Sequence, residues 1–420
     1  MRGAPFRAEA RFWFQFCQRF VAHGTEERSS GLRHPTLVQF YVVLTPYDDF
    51  PIHQTADPVA HPSSADPNHY DRYFFNGFSR NGEIFFGGAM AHYPNRGIID
   101  AAFSLVVDGV QHSVFASGSM PLDRATEIGP IRVQVIQPLR QIRLSVAAND
   151  QGLEANLVFD ARTVAIEEPR NTMISGTRRV MDVTRLTQWG SWEGTIRLAG
   201  QDVPLGAGAR GIRDRSWGQR GVGVQAPTNF PPAAPQVFWL WAPLHFDQFC
   251  THLALFERAD GERWLEQALI LPVLDKDAAT WGPDLEYERL QGVDYELDWT
   301  PGTRVARAAT LTMQSAVNGR SKIELEPLFT FRMRGIGYGH PVWGHGSVHG
   351  PLAVGGESIR LDDFDPQDPT ALHVETLCRA HMDGEEGIGV LEQIAFGDHE
   401  PTGLHGVFDG YAEPSSRARS

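Results

Sequence analysis

Phe329-Thr330-Phe331-Arg332-Met333-Arg334 alternates apolar and polar side chains at every step. Period two belongs to a β-strand with one buried face, because successive side chains of an extended chain point to opposite sides. The pattern recurs elsewhere. Ile131, Val133 and Val135 stand against Arg132 and Gln134, and Leu157, Phe159 and Ala161 against Asn156, Asp160 and Arg162. Val237, Trp239 and Trp241 alternate with Phe238 and Leu240. Between such segments lie Asn81-Gly82, Asp108-Gly109, Asp260-Gly261, Asn318-Gly319, Asp383-Gly384 and Asp409-Gly410. Asn, Asp and Gly tolerate the positive φ of tight hairpins. No stripe at helical spacing is sustained after residue 71. The reading predicts an all-β protein of antiparallel β-barrels or sandwiches.

The chain of 420 residues is long for one core, so two domains are expected. The stretch Gly200–Gly211, with four glycines and one proline, marks a boundary near residue 205. Residues 1–65 read as an N-terminal extension and extended lead-in, 66–205 as a first β domain and 206–415 as a second. A hydrophobic content of 42% suffices to bury a full core. The net charge of −14 disfavours nucleic acid as a partner, since an acidic surface repels phosphate. Cys17, Cys250 and Cys378 are odd in number and far apart, which argues against a disulfide framework or a zinc cluster and fits a cytoplasmic protein. No apolar run approaches the roughly 20 residues of a membrane span.

Chemistry concentrates in Arg213-Asp214-Arg215-Ser216-Trp217-Gly218-Gln219-Arg220. An Asp flanked by guanidinium groups is held ionised; in an apolar cavity it can instead keep a proton and act as an acid. Trp217 offers a π face to a cation. The same cluster also reads as a structural Arg–Asp–Trp knot closing a barrel end. A second rich segment, Gly335–Gly350, holds Tyr338, His340, Trp343, His345 and His349. The histidine spacings of five and four match no common ligand pattern, so no metal or other cofactor is expected. Glu392, among apolar residues, is either a buried acid or the partner of a buried arginine. His373, Glu375, Arg379 and His381 share one polar strand face, aimed at solvent or at a wet cavity. GxSxG, P-loop and HExxH motifs are absent, so serine hydrolase, NTPase and zinc protease chemistry lack support.

In order, the chain carries Pro94–Gly97 (PNxG), Thr184–Gly194, Gly211–Arg220, a GxGYGHPxWGHG element from Gly335 and an EGxGVLEQ element ending at Gln393. This order resembles the AttH-like proteins of the carotenoid 1,2-hydratase (hydroxyneurosporene synthase) superfamily, in a tandem lipocalin-like branch, over roughly residues 65–410. The resemblance implies two lipocalin-like barrels around an apolar cavity for a terpenoid, steroid or lipid-like molecule. It aligns Asp214 and Trp217 with the hydratase motif, with Arg215 where the hydratases typically carry His. On this reading Asp214, Trp217, Tyr338 and His340 are catalytic candidates for acid-assisted hydration, dehydration or isomerisation, with Arg213, Arg215 and Arg220 setting the pKa of Asp214. Arg220, Trp239, Trp241, Trp343, His345 and Glu392 are candidates for substrate binding. The competing reading is a non-catalytic carrier of lipids or terpenoids.

Overall fold

The structure is a computed structural model. It describes residues 62–412 apart from Ser63, Leu122, residues 222–235, Asp284 and Asn318. The expected N-terminal extension lies outside the described residues up to residue 61.

The described chain is all-β, with short 3-10 turns as its only helical segments, and forms two antiparallel sheets. The first, of 14 strands, runs in the order Leu352–Arg360, Val110–Ser119, Ile98–Val107, Phe85–Tyr93, His69–Phe78, Arg210–Gln219, Arg178–Leu198, Leu153–Ala161, Gln141–Val146, Ile131–Gln137 and Glu127–Ile128; three short strands pair with Arg178–Leu198. The second, of ten strands, has Val237–Trp241 near its middle, between Phe249–Glu257 and Glu385–Phe396. It comes nearly full circle: Arg263, near one end, donates to the carbonyl of Val293 on the strand at the other end. Hairpin turns sit where the sequence places them. Asp108 and Gly109 both take positive φ (51° and 70°), as do Asp383 and Gly384 (51° and 88°). Each pair joins adjacent strands in two residues, the geometry whose twist matches that of the flanking strands. Among the described residues no helix is long and apolar enough to cross a membrane.

Sheet membership does not follow the division expected at residue 205. Arg210–Gln219 pairs with His69–Phe78 on one side and with Arg178–Leu198 on the other, so it is a central strand of the first sheet. Leu352–Arg360 also pairs into that sheet, beside Val110–Ser119. The glycine-rich stretch marks a turn between neighbouring strands of one sheet, and turn chemistry alone does not distinguish that from a domain linker.

Alternation explains the cores. Phe75, Phe86, Phe103 and Trp192 fill the interior of the first sheet, and Phe238, Leu240, Leu253 and Leu311 that of the second. The opposite faces meet in a shared core: Phe74, Phe78 and Phe85 from the first sheet pack with Trp239, Trp241 and Phe331 from the second. The rings of Phe85 and Phe331 are 4.9 Å apart between centroids. Val237–Trp241 is buried at every position because its two faces serve two cores.

Candidate functional site

The shared core has a polar layer. Parity places Arg72 on the intersheet face of His69–Phe78 and Asp214 on that face of Arg210–Gln219, in register with Phe74. Arg185 projects from the next strand to the same side, where Thr187 is the cross-strand partner of Asp214. The second sheet contributes Trp239 and Trp241, Glu392 in register with Trp241, and Glu375 in register with Glu392.

Two networks result. In the first, Arg185 Nη1 donates to Glu168 Oε2 (3.1 Å), and its Nε lies 2.9 Å from Asp214 Oδ2. Glu168 Oε1 also accepts from Thr187 (2.6 Å) and from the indole of Trp241 (3.0 Å). Burial raises the pKa of Glu168, but Arg185, His252 and these hydrogen bonds outweigh it and hold the group below its ordinary value. Asp214 behaves oppositely. Burial pushes it up to about 7 despite Arg185, with Glu168 adding to the rise, and its Oδ1 is buried without a partner. In the second network, Glu392 Oε1 accepts from Trp239 Nε1 (3.1 Å) and lies 2.7 Å from His373 Nε2. Because that oxygen already accepts, Nε2–H is the donor, which leaves Nδ1 of His373 bare. Nδ1 is buried and has no partner. Burial lowers the pKa of His373 and outweighs the opposing pull of Glu392, so the imidazole is neutral at pH 7. Glu375 is fully buried and its pKa is raised well above the ordinary value, first by burial and then by Glu392. Asn76 donates to its Oε1 (3.0 Å), and Oε2 has no partner.

A cavity of about 90 Å³ opens against these groups. Tyr70, Arg185, Arg220, Tyr338, His373 and Glu392 form its polar wall; Met181, Val183, Val237, Phe256, Leu265 and Ile394 line it with apolar surface. Pockets that enclose a drug-sized molecule are roughly 300–1,000 Å³, so this space admits one end of a ligand rather than a whole terpenoid or steroid. A base without a partner, carboxyls of raised pKa just behind the wall and a mixed lining are the elements of general acid–base chemistry.

The residues predicted from sequence divide. Tyr338, Arg220, Trp239 and Glu392 line the cavity, and Trp241 reaches the adjoining network through Glu168. Asp214 does not line it; it sits behind the wall, paired with Arg185. Trp217 lies on the other face of its strand, against Leu139, Ala165 and Leu186. Arg213 and Arg215 share that side and do not set the pKa of Asp214. Arg213 donates to Gln188 (2.8 Å), and Arg215 donates to Asp71 (2.5 Å) over the ring of Tyr73. Residues adjacent in a strand point apart, so sequence neighbours are poor partners. His340 braces its own turn: Nδ1 accepts from the backbone of Val342 and Trp343, and Nε2 lies 3.2 Å from Glu357. Trp343 stacks on Phe115, and His345 packs edge-on against Tyr338 with Nε2 on the Ile336 carbonyl. None of these three lines the cavity. Among the described residues no three His, Cys, Asp or Glu side chains are placed to share a metal ion.

The motifs gave no sign of Arg72 or Glu168, and Arg185, within the Thr184–Gly194 element, carried no assigned chemistry. A charged residue inside an aromatic strand such as Tyr70-Asp71-Arg72-Tyr73-Phe74 was the available signal for Arg72.

Residues 44–405 match one protein family, Family of unknown function (DUF8625). The chain belongs to it. No curated protein matches the sequence. Among solved structures, the member described here is similar to kievitone hydratase from Nectria haematococca, at 13% identity and a TM-score of 0.43, covering 79% of this chain and 91% of that one. It is also similar to CghA, at 12% identity and a TM-score of 0.43, covering 79% and 90%. Likeness at that distance carries no argument about the site, which is read from its own residues.

Proposed function

We propose that this protein is an enzyme that takes one end of an apolar small molecule between its two sheets and moves a proton on it. The carrying observation is His373, a residue of the cavity lining: a buried, neutral imidazole, oriented through Nε2 by Glu392 and with a partnerless Nδ1. Such a group is a general base. Tyr338 supplies the matching acid. Its hydroxyl oxygen accepts from Arg72, which leaves its own proton to donate. Hydration, dehydration or isomerisation of a C=C bond is the chemistry that such an acid and base serve beside an apolar wall. Asp214 and Glu375 are positioning residues here, their raised pKa values limiting the negative charge behind the wall.

The test begins with mass spectrometry of small molecules released from natively purified protein, followed by turnover of the recovered compound. His373→Gln should lower turnover by about a hundredfold or more, the loss typical of a missing general base, while the compound still binds. A compound recovered unchanged, and bound equally by the parent and His373→Gln, would make the protein a carrier.

A further inference from the structure

We infer that the cavity takes its ligand by a carboxylate, held by Arg220 on the wall, with Arg72, over the ring of Tyr338, adding its charge; this rests on the proposal that the cavity binds a small molecule. Arg220 lines the cavity with its guanidinium 4.6 Å from the ring centre of Tyr70 and 5.7 Å from that of Tyr338. Its Nη2 is buried without a partner. Arg72, 1% exposed, lies 4.4 Å over the other contact of that site, the ring of Tyr338, and gives Nη1 to its hydroxyl. Its Nε and Nη2 are buried and unpartnered.

Among the described residues no nearby carboxyl group lies within ion-pair distance of either arginine, Asp100 feeling the charge of both from farther off. Glu168 and Asp214 meet Arg185, Glu392 meets His373 and Trp239, and Asp100 accepts from the Gly346 amide and the Tyr93 hydroxyl. Among the described residues neither Arg72 nor Arg220 forms a salt bridge, whereas the buried Arg215 and the partly buried Arg185 do. Tyrosine rings offer a cation only their quadrupole, and a buried charge without a counter-charge is costly. Guanidinium forks match a carboxylate in shape and charge. A ligand carboxylate therefore supplies what the site lacks, and it anchors the molecule beside the bare Nδ1 of His373.

Ligand-observed NMR titrations of the full chain with isobutyrate and with isobutyramide test this, since the two share size and shape and differ in charge. Isobutyrate should bind at least about tenfold more tightly. Arg220→Met should abolish that preference while leaving isobutyramide affinity within about threefold, and Arg220→Lys should retain part of it. Equal affinities in the parent, or a preference that survives Arg220→Met, would overturn the carboxylate assignment while binding of isobutyramide upheld the cavity reading. Failure of both probes to bind the parent would overturn the cavity reading itself, and this inference with it.

Discussion

Asp214 keeps its proton to about pH 7 because its burial costs more than Arg185 returns. The unfolded chain releases the same proton near the ordinary value of 3.8. Between those values the folded state binds more protons, so raising the pH through this window favours unfolding through this group. Glu375, raised for the same first reason, acts in the same direction. Asp214→Asn removes the titration and leaves Arg185 its pair with Glu168. The Asn variant should melt above the parent at pH 8, with the gap narrowing as the pH falls below about 7 and closing only near the ordinary value of 3.8, where the unfolded aspartate also holds its proton. Paired melts across that range check this. A variant less stable than the parent at pH 8 by about 3–5 kcal/mol, the cost of stranding a buried charge, would instead make Asp214 the obligatory counter-charge of Arg185.

At the scale of the strand, a step of one residue carries a side chain from one core to another. Arg210–Gln219 sends Ile212 and Asp214 to the shared core, and Arg213 and Arg215 to the other face. Asp71 and Arg215 pair there, 4% and 0% exposed. Asp71→Asn should therefore cost about 3–5 kcal/mol of stability, read by chemical denaturation, with the ligand affinity of the intersheet cavity unchanged. A loss of affinity without loss of stability would count against the separation of the two faces. Parity also explains what could be read in advance. Alternation at Ile131–Val135 and the Asp-Gly turns at 108 and 383 made the strands and hairpins legible, because both are local. Glu392 and Tyr338 stood out as polar groups in apolar or glycine-rich surroundings. The polar face of His373 and Glu375 was legible as aimed at solvent or at a wet cavity, and the structure buries both residues. Register was not legible. The meeting of Arg185 with Asp214 and Glu168, and of His373 with Glu392, depends on which strands are neighbours, and the glycines near residue 205 carried no such information.

For the whole molecule, the site exists because two sheets meet. One supplies Tyr70, Arg72 and Arg185, with Arg220 one residue past Gln219; the other supplies Trp239, Trp241 and Glu392 with its neighbour Glu375, and His373 one residue before Val374. The shared core of Phe85, Phe331 and Trp239 excludes water around them, and that exclusion moves the protons of Asp214, Glu375 and His373 from their ordinary positions. Arg72 and Arg220 of the first sheet help hold down the pKa of His373 on the second, so the state of this imidazole reports on the assembled pair of sheets. The most direct test is nitrogen-15 NMR of His373 in the intact protein, assigned with His373→Gln. At pH 7 the account predicts a neutral ring with the proton on Nε2 and a bare Nδ1, and a pKa that falls further in Glu392→Gln, where the favourable hydrogen bond to the charged ring is weakened. A charged imidazolium at pH 7, or a proton on Nδ1, would contradict it.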